Sequence, residues 1–242
     1  MNKGAIYIGC SGWNYKGWQG IIYPDDTLSS QWFGYYTQIF KTVEINNTFY
    51  KLPKVETFRH WRDQAPDGFI YTVKANRFIT HMKKLKDPLT SLQRFFTCVY
   101  TLENHLGPIL YQLPPHWKLN LERLKNFLDF LPNDLTHVFE FRDQSWMVDE
   151  VFELLDKKGA AFCTHDMRCL NIPRLSTGPI TYVRFHGTGD VYTGGYPEST
   201  LLNWWNWMES EVNKGKDLYV YFNNDVGGQA VRDAKVLMEI SR

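Results

Sequence analysis

Thr42-Val-Glu-Ile-Asn-Asn-Thr-Phe-Tyr50 is the stretch whose reading decides the fold. Val43, Ile45 and Phe49 alternate with Glu44, Asn46 and Thr48, which is the period-two pattern of a β-strand. In an ordinary half-covered strand the polar set would face water. Here it is read as facing inward, toward the axis of a closed barrel, because similar short strands with polar ends recur along the chain. Strands are expected at 6–11, 42–49, 70–77, 108–113, 136–142, 160–166, 180–187 and 218–224.

Segments of helical period separate these strands, at 29–40, 55–65, 89–106, 121–131, 147–158, 199–213 and 229–240. The sixth connection, 167–179, carries Pro173, Gly178 and Pro179 and is expected to be irregular. Gly68, Gly107, Gly159 and Gly215 each stand between a helical segment and a strand, where a left-handed C-terminal cap is expected. Strand and helix thus alternate along the whole chain, in units of about thirty residues. The expected fold is α/β, a single (β/α)8 TIM-type barrel over residues 1–242 with an irregular sixth βα connection. An open doubly wound sheet is the alternative, but no Gly-x-Gly-x-x-Gly turn follows any strand.

Composition narrows the function classes. With 27 basic and 26 acidic residues, no bulk field draws the protein to nucleic acid or to an anionic membrane. Cys10, Cys98, Cys163 and Cys169 form no C-x-x-C pair and no zinc-finger spacing, and are read as buried, reduced thiols. The first residues lack a hydrophobic signal core, and no apolar run approaches membrane-spanning length. A cytoplasmic protein with no membrane partner is expected.

In such a barrel the active groups sit where strands end and βα loops begin. Inward parity selects Glu44 and Asn46, then Lys74, Gln112, Glu140 with Arg142, Arg184 with His186, and Asn223. At the end of the sixth strand His165 and Asp166 point opposite ways. Three acids (Glu44, Glu140, Asp166) and three bases (Lys74, Arg142, Arg184) therefore converge near His186. Burying that many charges costs several kcal/mol each unless they are paired. They form either a ligand site or a self-paired ionic plug. His186 is a candidate acid or base, or else a strand histidine that satisfies a backbone group. Trp13 in the first loop and Tyr196 in the seventh offer flat faces to a ligand, while Trp18 is at least as well explained as packing. His81, in the third loop, is read as a phosphate contact or a loop cap. The corner at 223–229, with Gly227 and Gly228, has the make-up of a phosphate-binding turn and also of an ordinary one.

Several motifs together resemble one known family. Gly9-Cys-Ser-Gly-Trp-Asn-Tyr15, Val43-Glu-Ile-Asn-Asn-Thr-Phe-Tyr50 and Leu106-Gly-Pro-Ile-Leu-Tyr-Gln-Leu-Pro-Pro115 are similar to the YecE-like family, domain of unknown function seventy-two. So are Phe139-Glu-Phe-Arg-Asp-Gln-Ser-Trp146, Tyr182-Val-Arg-Phe-His-Gly187 and Tyr219-Val-Tyr-Phe-Asn-Asn224. The resemblance spans nearly the whole chain and implies a TIM-type barrel, with no established reaction, cofactor or catalytic set. Cys10 and Asp143 depart from the family pattern, which more often has Thr and His there.

The expectation is a metal-independent enzyme of hydrolase or isomerase type, acting on a small polar or anionic molecule that is phosphorylated or sugar-like. Glu140 or His186 would act as acid or base, assisted by Asp166 and Glu44. Lys74, Arg142 and Arg184 would hold the anionic part, with Asn46, Gln112, Asn223 and His81 around it and Trp13 and Tyr196 stacking. No cofactor fingerprint is present. A metal-dependent phosphodiesterase acting on nucleic acid is one alternative, with a divalent metal held by Glu44, Glu140, Asp166 and His186. A non-catalytic binder of a metabolite or partner is the other.

Overall fold

The computed structural model describes residues 2–189 and 192–242. The eight strands are β1 (Ile6–Cys10), β2 (Thr42–Ile45), β3 (Ile70–Lys74), β4 (Leu106–Gln112), β5 (His137–Glu140), β6 (Ala161–His165), β7 (Ile180–Phe185) and β8 (Asp217–Phe222). Every paired neighbour is parallel, and the order β1-β8-β7-β6-β5-β4-β3-β2 carries the sheet once around an axis. Helices α1 (Trp32–Ile39), α2 (Asn47–Tyr50), α3 (Val55–Gln64), α4 (Pro88–Val99) and α5 (Leu121–Leu128) follow in the first half. Helices α6 (Asp149–Lys157), α7 (Glu198–Asn213) and α8 (Gln229–Ile240) complete the TIM-type barrel. Among the described residues no helix is long and apolar enough to cross a membrane.

Strand alternation divides the core in two. Leu110, Val138, Cys163, Tyr182 and Tyr221 point inside the barrel. Their outward neighbours join a larger layer under the helices, rich in rings such as Phe33, Phe69, Phe139, Phe141 and Trp146. Phe141 stacks on Trp146 at 4.8 Å, for example, as the outward parity of Phe139 and Phe141 requires. Most of the chain's abundant aromatic surface is thus consumed in fastening helices to strands.

The last seam closes by a side chain. β1 and β2 lie side by side without a backbone ladder among the described residues. The Tyr36 hydroxyl fills the gap, accepting from Cys10 N and donating to Thr42 O, each at 2.9 Å. Gly9 permits the approach, since a Cβ there would stand 2.3 Å from Thr42 O.

Three local expectations are corrected. β2 stops at Ile45 rather than running to residue 49, because Thr48 Oγ1 donates to Ile45 O and Lys74 O at 3.1 and 2.6 Å and folds the chain into α2. This turn moves Phe49 from the expected outer face to a place over Lys74. The helix expected at 89–106 ends at Val99 and gives way to a 3-10 segment in which Glu103 takes φ +51°. Gly107 is therefore no cap: it lies in β4, where a Cβ would stand 2.4 Å from Ile70 Cγ2. Gly68, Gly159 and Gly215 are left-handed as expected.

The sixth connection contains no helix, again as expected. Side-chain hydrogen bonds hold it against β6 instead. Thr177 Oγ1 accepts from Phe162 N and donates to Ala160 O, both at 2.8 Å, and Thr164 Oγ1 donates to Leu175 O at 2.9 Å. Three of the four cysteines are buried, but Cys169, on this connection, is exposed.

Candidate functional site at the barrel mouth

Strand parity sends Glu44, Glu140 and Arg184 to one level of the interior, where all three are fully buried. Arg184 lies between the two carboxylates. Its Nη2 donates to Glu44 Oε1 at 2.7 Å and its Nη1 to Glu140 Oε2 at 2.6 Å. Glu44 also accepts from Ser11 Oγ at 2.8 Å and from the Tyr182 hydroxyl at 2.7 Å. Glu140 takes a further bond from Arg142 Nε and a weak one from Cys163 Sγ. Two guanidiniums thus neutralise two carboxylates, the condition under which buried charges are tolerated. Burial pushes the Glu140 carboxyl up, but Arg142 and Arg184 outweigh it and hold it well below the usual carboxylate range. Glu140 is therefore an ionised organiser of the floor, and a poor proton donor.

One level higher, Arg142 joins the floor to His186, with Nη2 at 3.1 Å from His186 Nε2 and Nη1 against Met167 Sδ. Guanidinium can only donate, so His186 Nε2 accepts and Nδ1 carries the proton. Asn223 Nδ2 lies 3.3 Å from Nδ1, so a proton on Nδ1 calls for the flipped amide, with the oxygen turned toward the ring. Burial, then the nearby Arg142 and Arg184, hold the His186 imidazole well below its ordinary value and neutral. His165, inward at the end of β6, has its ring 5.8 Å from that of His186 and is lowered to about 4 by burial.

Asp166 lies just past β6, beside His186. Its Oδ1 accepts from His186 N at 2.7 Å, and its Oδ2 accepts from the Tyr196 hydroxyl, which itself accepts from Gly187 N at 2.6 Å. Burial raises the Asp166 carboxyl, and those donors only partly offset the rise. Tyr196 therefore acts through its hydroxyl, its ring being packed edge-on against Phe185 and Phe222. The ring that meets His186 is Tyr192, edge-on at 5.7 Å and exposed.

Across the mouth, Lys74 ends β3 nearly buried, with Nζ 4.4 Å from the centre of the Phe49 ring. Among the described residues its ammonium makes no hydrogen bond or ion pair. Burial, then the charge of Arg184, lower it to about 7. His81 packs edge-on to Phe49 at 4.9 Å, and burial, Lys74 and Arg77 lower it to about 4. Phe49 was missed by the alternation. The Asn46-Asn47-Thr48 run after an apolar strand was the available signal, because such residues favour turns.

The remaining candidates divide. Asn46 donates weakly to Ser11 O at 3.4 Å and leaves Oδ1 buried without a partner among the described residues. Gln112 is half-buried at the end of β4 with its amide unpaired among the described residues. Trp13 packs on Phe33, Trp61 and Tyr71, so it fastens the first loop to the helical layer. Trp18 is wholly buried. At the 223–229 corner, Ile21 packs against Gly228, and Asp225 keeps a buried oxygen unpartnered among the described residues, its carboxyl pushed up to about 6 by burial. That corner is poorly suited to a phosphate.

The sequence model described as a protein of unknown function, DUF72, matches residues 7–242. The chain belongs to the DUF72 family. It is 26% identical over 270 residues to the UPF0759 protein YunF of Bacillus subtilis, covering 97% of this chain and 94% of that one. A DUF72 family crystal structure from Thermotoga maritima superposes with TM-score 0.89 at 28% identity, over 98% of each chain. A second, from Enterococcus faecalis, gives 0.84 at 16% identity over 98% of this chain and 95% of that one, and supports the fold alone.

In this DUF72 protein a cleft of about 240 Å³ opens at the mouth between Asp166, Met167, Arg168, Cys169, His186, Gly187 and Gly189. A larger groove of about 600 Å³, lined by Tyr50, Arg77, Phe78, Met82 and Arg94 among others, lies to one side and holds none of the inward-facing charges. The small cleft is where perturbed groups and open space coincide. Among the described residues no three His, Cys, Asp or Glu side chains gather as a metal cage, because Arg184 separates Glu44 from Glu140.

Proposed function

We propose that the protein is an enzyme of hydrolase or isomerase type acting on a small, sugar-like or phosphorylated substrate at the mouth of the barrel. The observation that carries this reading is the placement of Asp166 in the cleft beside His186, with its carboxyl raised by burial. A carboxyl raised toward the working pH exchanges protons more readily with a substrate. The cleft is smaller than the ~300–1,000 Å³ of drug-sized ligand pockets, which points to a molecule of few heavy atoms. Arg168, exposed at its rim and unpaired among the described residues, offers a charge to an anionic group. Arg184 does not, because both its terminal nitrogens are engaged below.

The test is a thermal-shift screen of sugars and sugar phosphates on the wild-type protein, followed by turnover assays on each hit. A hit at a hundred times its Kd raises stability by about 2.7 kcal/mol. Turnover should be lost in Asp166→Asn, and binding of phosphorylated hits weakened in Arg168→Ala. Hits that are bound and never turned over would make the protein a metabolite binder. Hits indifferent to both variants would place the site elsewhere.

A second reading, a phosphodiesterase acting on nucleic acid, is favoured by the side groove. It carries Lys51, Arg77, Lys83 and Arg94 against Asp87 alone, with Tyr50 and Phe78 exposed for stacking. Salt-sensitive binding of a labelled oligonucleotide, reversed by Arg77→Glu, would support it.

A further inference from the structure

Among the described residues Lys74 is the buried charged group of the mouth that has no ion pair. Every carboxylate oxygen of Glu44 and Glu140 is already occupied by Arg184, Arg142, Ser11, Tyr182 or Cys163. The two oxygens of Asp166 are taken by Tyr196 and by His186 N. Among the described residues the Lys74 amine has no hydrogen bond or ion pair and lies against the face of Phe49, on an inward position where 8% of the residue's surface remains open. An ammonium so placed is desolvated; Glu140 and Glu44 pull toward the charged form, but burial and the charges of Arg184 and Arg142 outweigh them and lower its value to about 7. A structural role alone explains the position poorly, because an apolar side chain of the same length would occupy it at lower cost. Desolvation and neighbouring cations are also the means by which a lysine becomes a nucleophile.

We propose that Lys74 forms an imine with the carbonyl carbon of a small aldehyde or ketone substrate entering the mouth. This rests on the reading that the mouth is a substrate site, and it narrows the substrate to a carbonyl compound. The neutral Nζ attacks the carbonyl carbon. A C–N bond forms as the C–O π pair moves to oxygen, and the proton lost by nitrogen balances the one gained by oxygen. The carbinolamine hydroxyl then leaves as water after taking a proton from solvent, giving an iminium. The nitrogen remains cationic over the Phe49 ring, whose face attracts positive charge.

The test uses the whole protein, formaldehyde as the smallest carbonyl probe, and sodium cyanoborohydride to reduce the iminium to a stable secondary amine. Peptide mass mapping follows methylation at each lysine as a function of pH. An ordinary lysine holds about a thousandfold less neutral amine at pH 7 than one titrating there. Lys74 should therefore be methylated well ahead of the surface lysines, with a midpoint near 7. Glyceraldehyde, a probe of substrate size, should then give one adduct at Lys74 with the mass of the probe less one oxygen. Both labels should vanish from that peptide in Lys74→Met, its fold checked by circular dichroism. Formaldehyde labelling confined to surface lysines would overturn the proposal whatever the natural substrate. If sugars shift the melting temperature while Lys74 stays unlabelled, the mouth remains a binding site and the imine is refuted.

Discussion

Removing Arg184 tests the arrangement of the barrel floor most directly. Arg184→Met keeps much of the side-chain volume and deletes both ion pairs. The two carboxylates do not suffer equally. Glu140 retains Arg142, whereas Glu44 retains only the neutral donors Ser11 and Tyr182. One charge is therefore orphaned rather than two, and the expected loss is the ~3–5 kcal/mol of a buried pair deprived of one partner. For a chain of this size each kcal/mol lowers Tm by about 2–4 °C, so Tm should fall by roughly 6–20 °C. Adding Glu44→Gln removes the orphaned charge and leaves an oxygen to accept from Ser11 and Tyr182. The double variant should recover most of the loss. Urea unfolding at pH 7, with calorimetry, measures both. A single variant within about 1 kcal/mol of wild type, or a double variant no better than the single, would refute the view that Arg184 is the neutralising centre.

Other consequences follow from the same geometry. Tyr36→Phe removes the bridge across the β1–β2 seam and leaves Cys10 N and Thr42 O unsatisfied, for an expected loss of ~1–3 kcal/mol. Hydrogen exchange should quicken at the Cys10 amide before the rest of β1. Lys74 holds its proton less tightly folded than unfolded, so between about pH 7 and the unfolded value the unfolded chain binds more protons. Stability should rise with pH across that window in the wild type, and this rise should be missing in Lys74→Met when the two urea curves are compared. Asp166 has the opposite sign, because its folded value lies above the unfolded one. Its contribution is complete at low pH and is lost as pH rises through the raised value. Asp166→Asn should abolish that loss, read as the difference between wild-type and variant Tm across pH 3 to 8.

Period-two alternation was enough to place the inward face of the second to fifth, seventh and eighth strands, because a strand has only two faces. That is why Glu44, Lys74, Glu140 and Arg184 were legible as one set, although Glu44 and Arg184 stand 140 residues apart. The alternation failed where the backbone left the strand. Thr48 prefers two carbonyls to a ladder, and the resulting turn carries Phe49 to the mouth. Tyr36 was illegible for another reason: a tyrosine in an amphipathic helix reads as core, and only the missing β1–β2 ladder gives its hydroxyl a task. Pairing was the least legible property. Three acids and three bases suggest three pairs, and Asp166 with Lys74 would complete the tally. Instead the Asp166 oxygens are filled by a phenol and a backbone N–H, both uncharged, so the cancellation stops at two pairs. A balanced count of residues thereby leaves one buried amine without an ion pair among the described residues, desolvated and beside Arg184, which are the conditions that activate a lysine nucleophile.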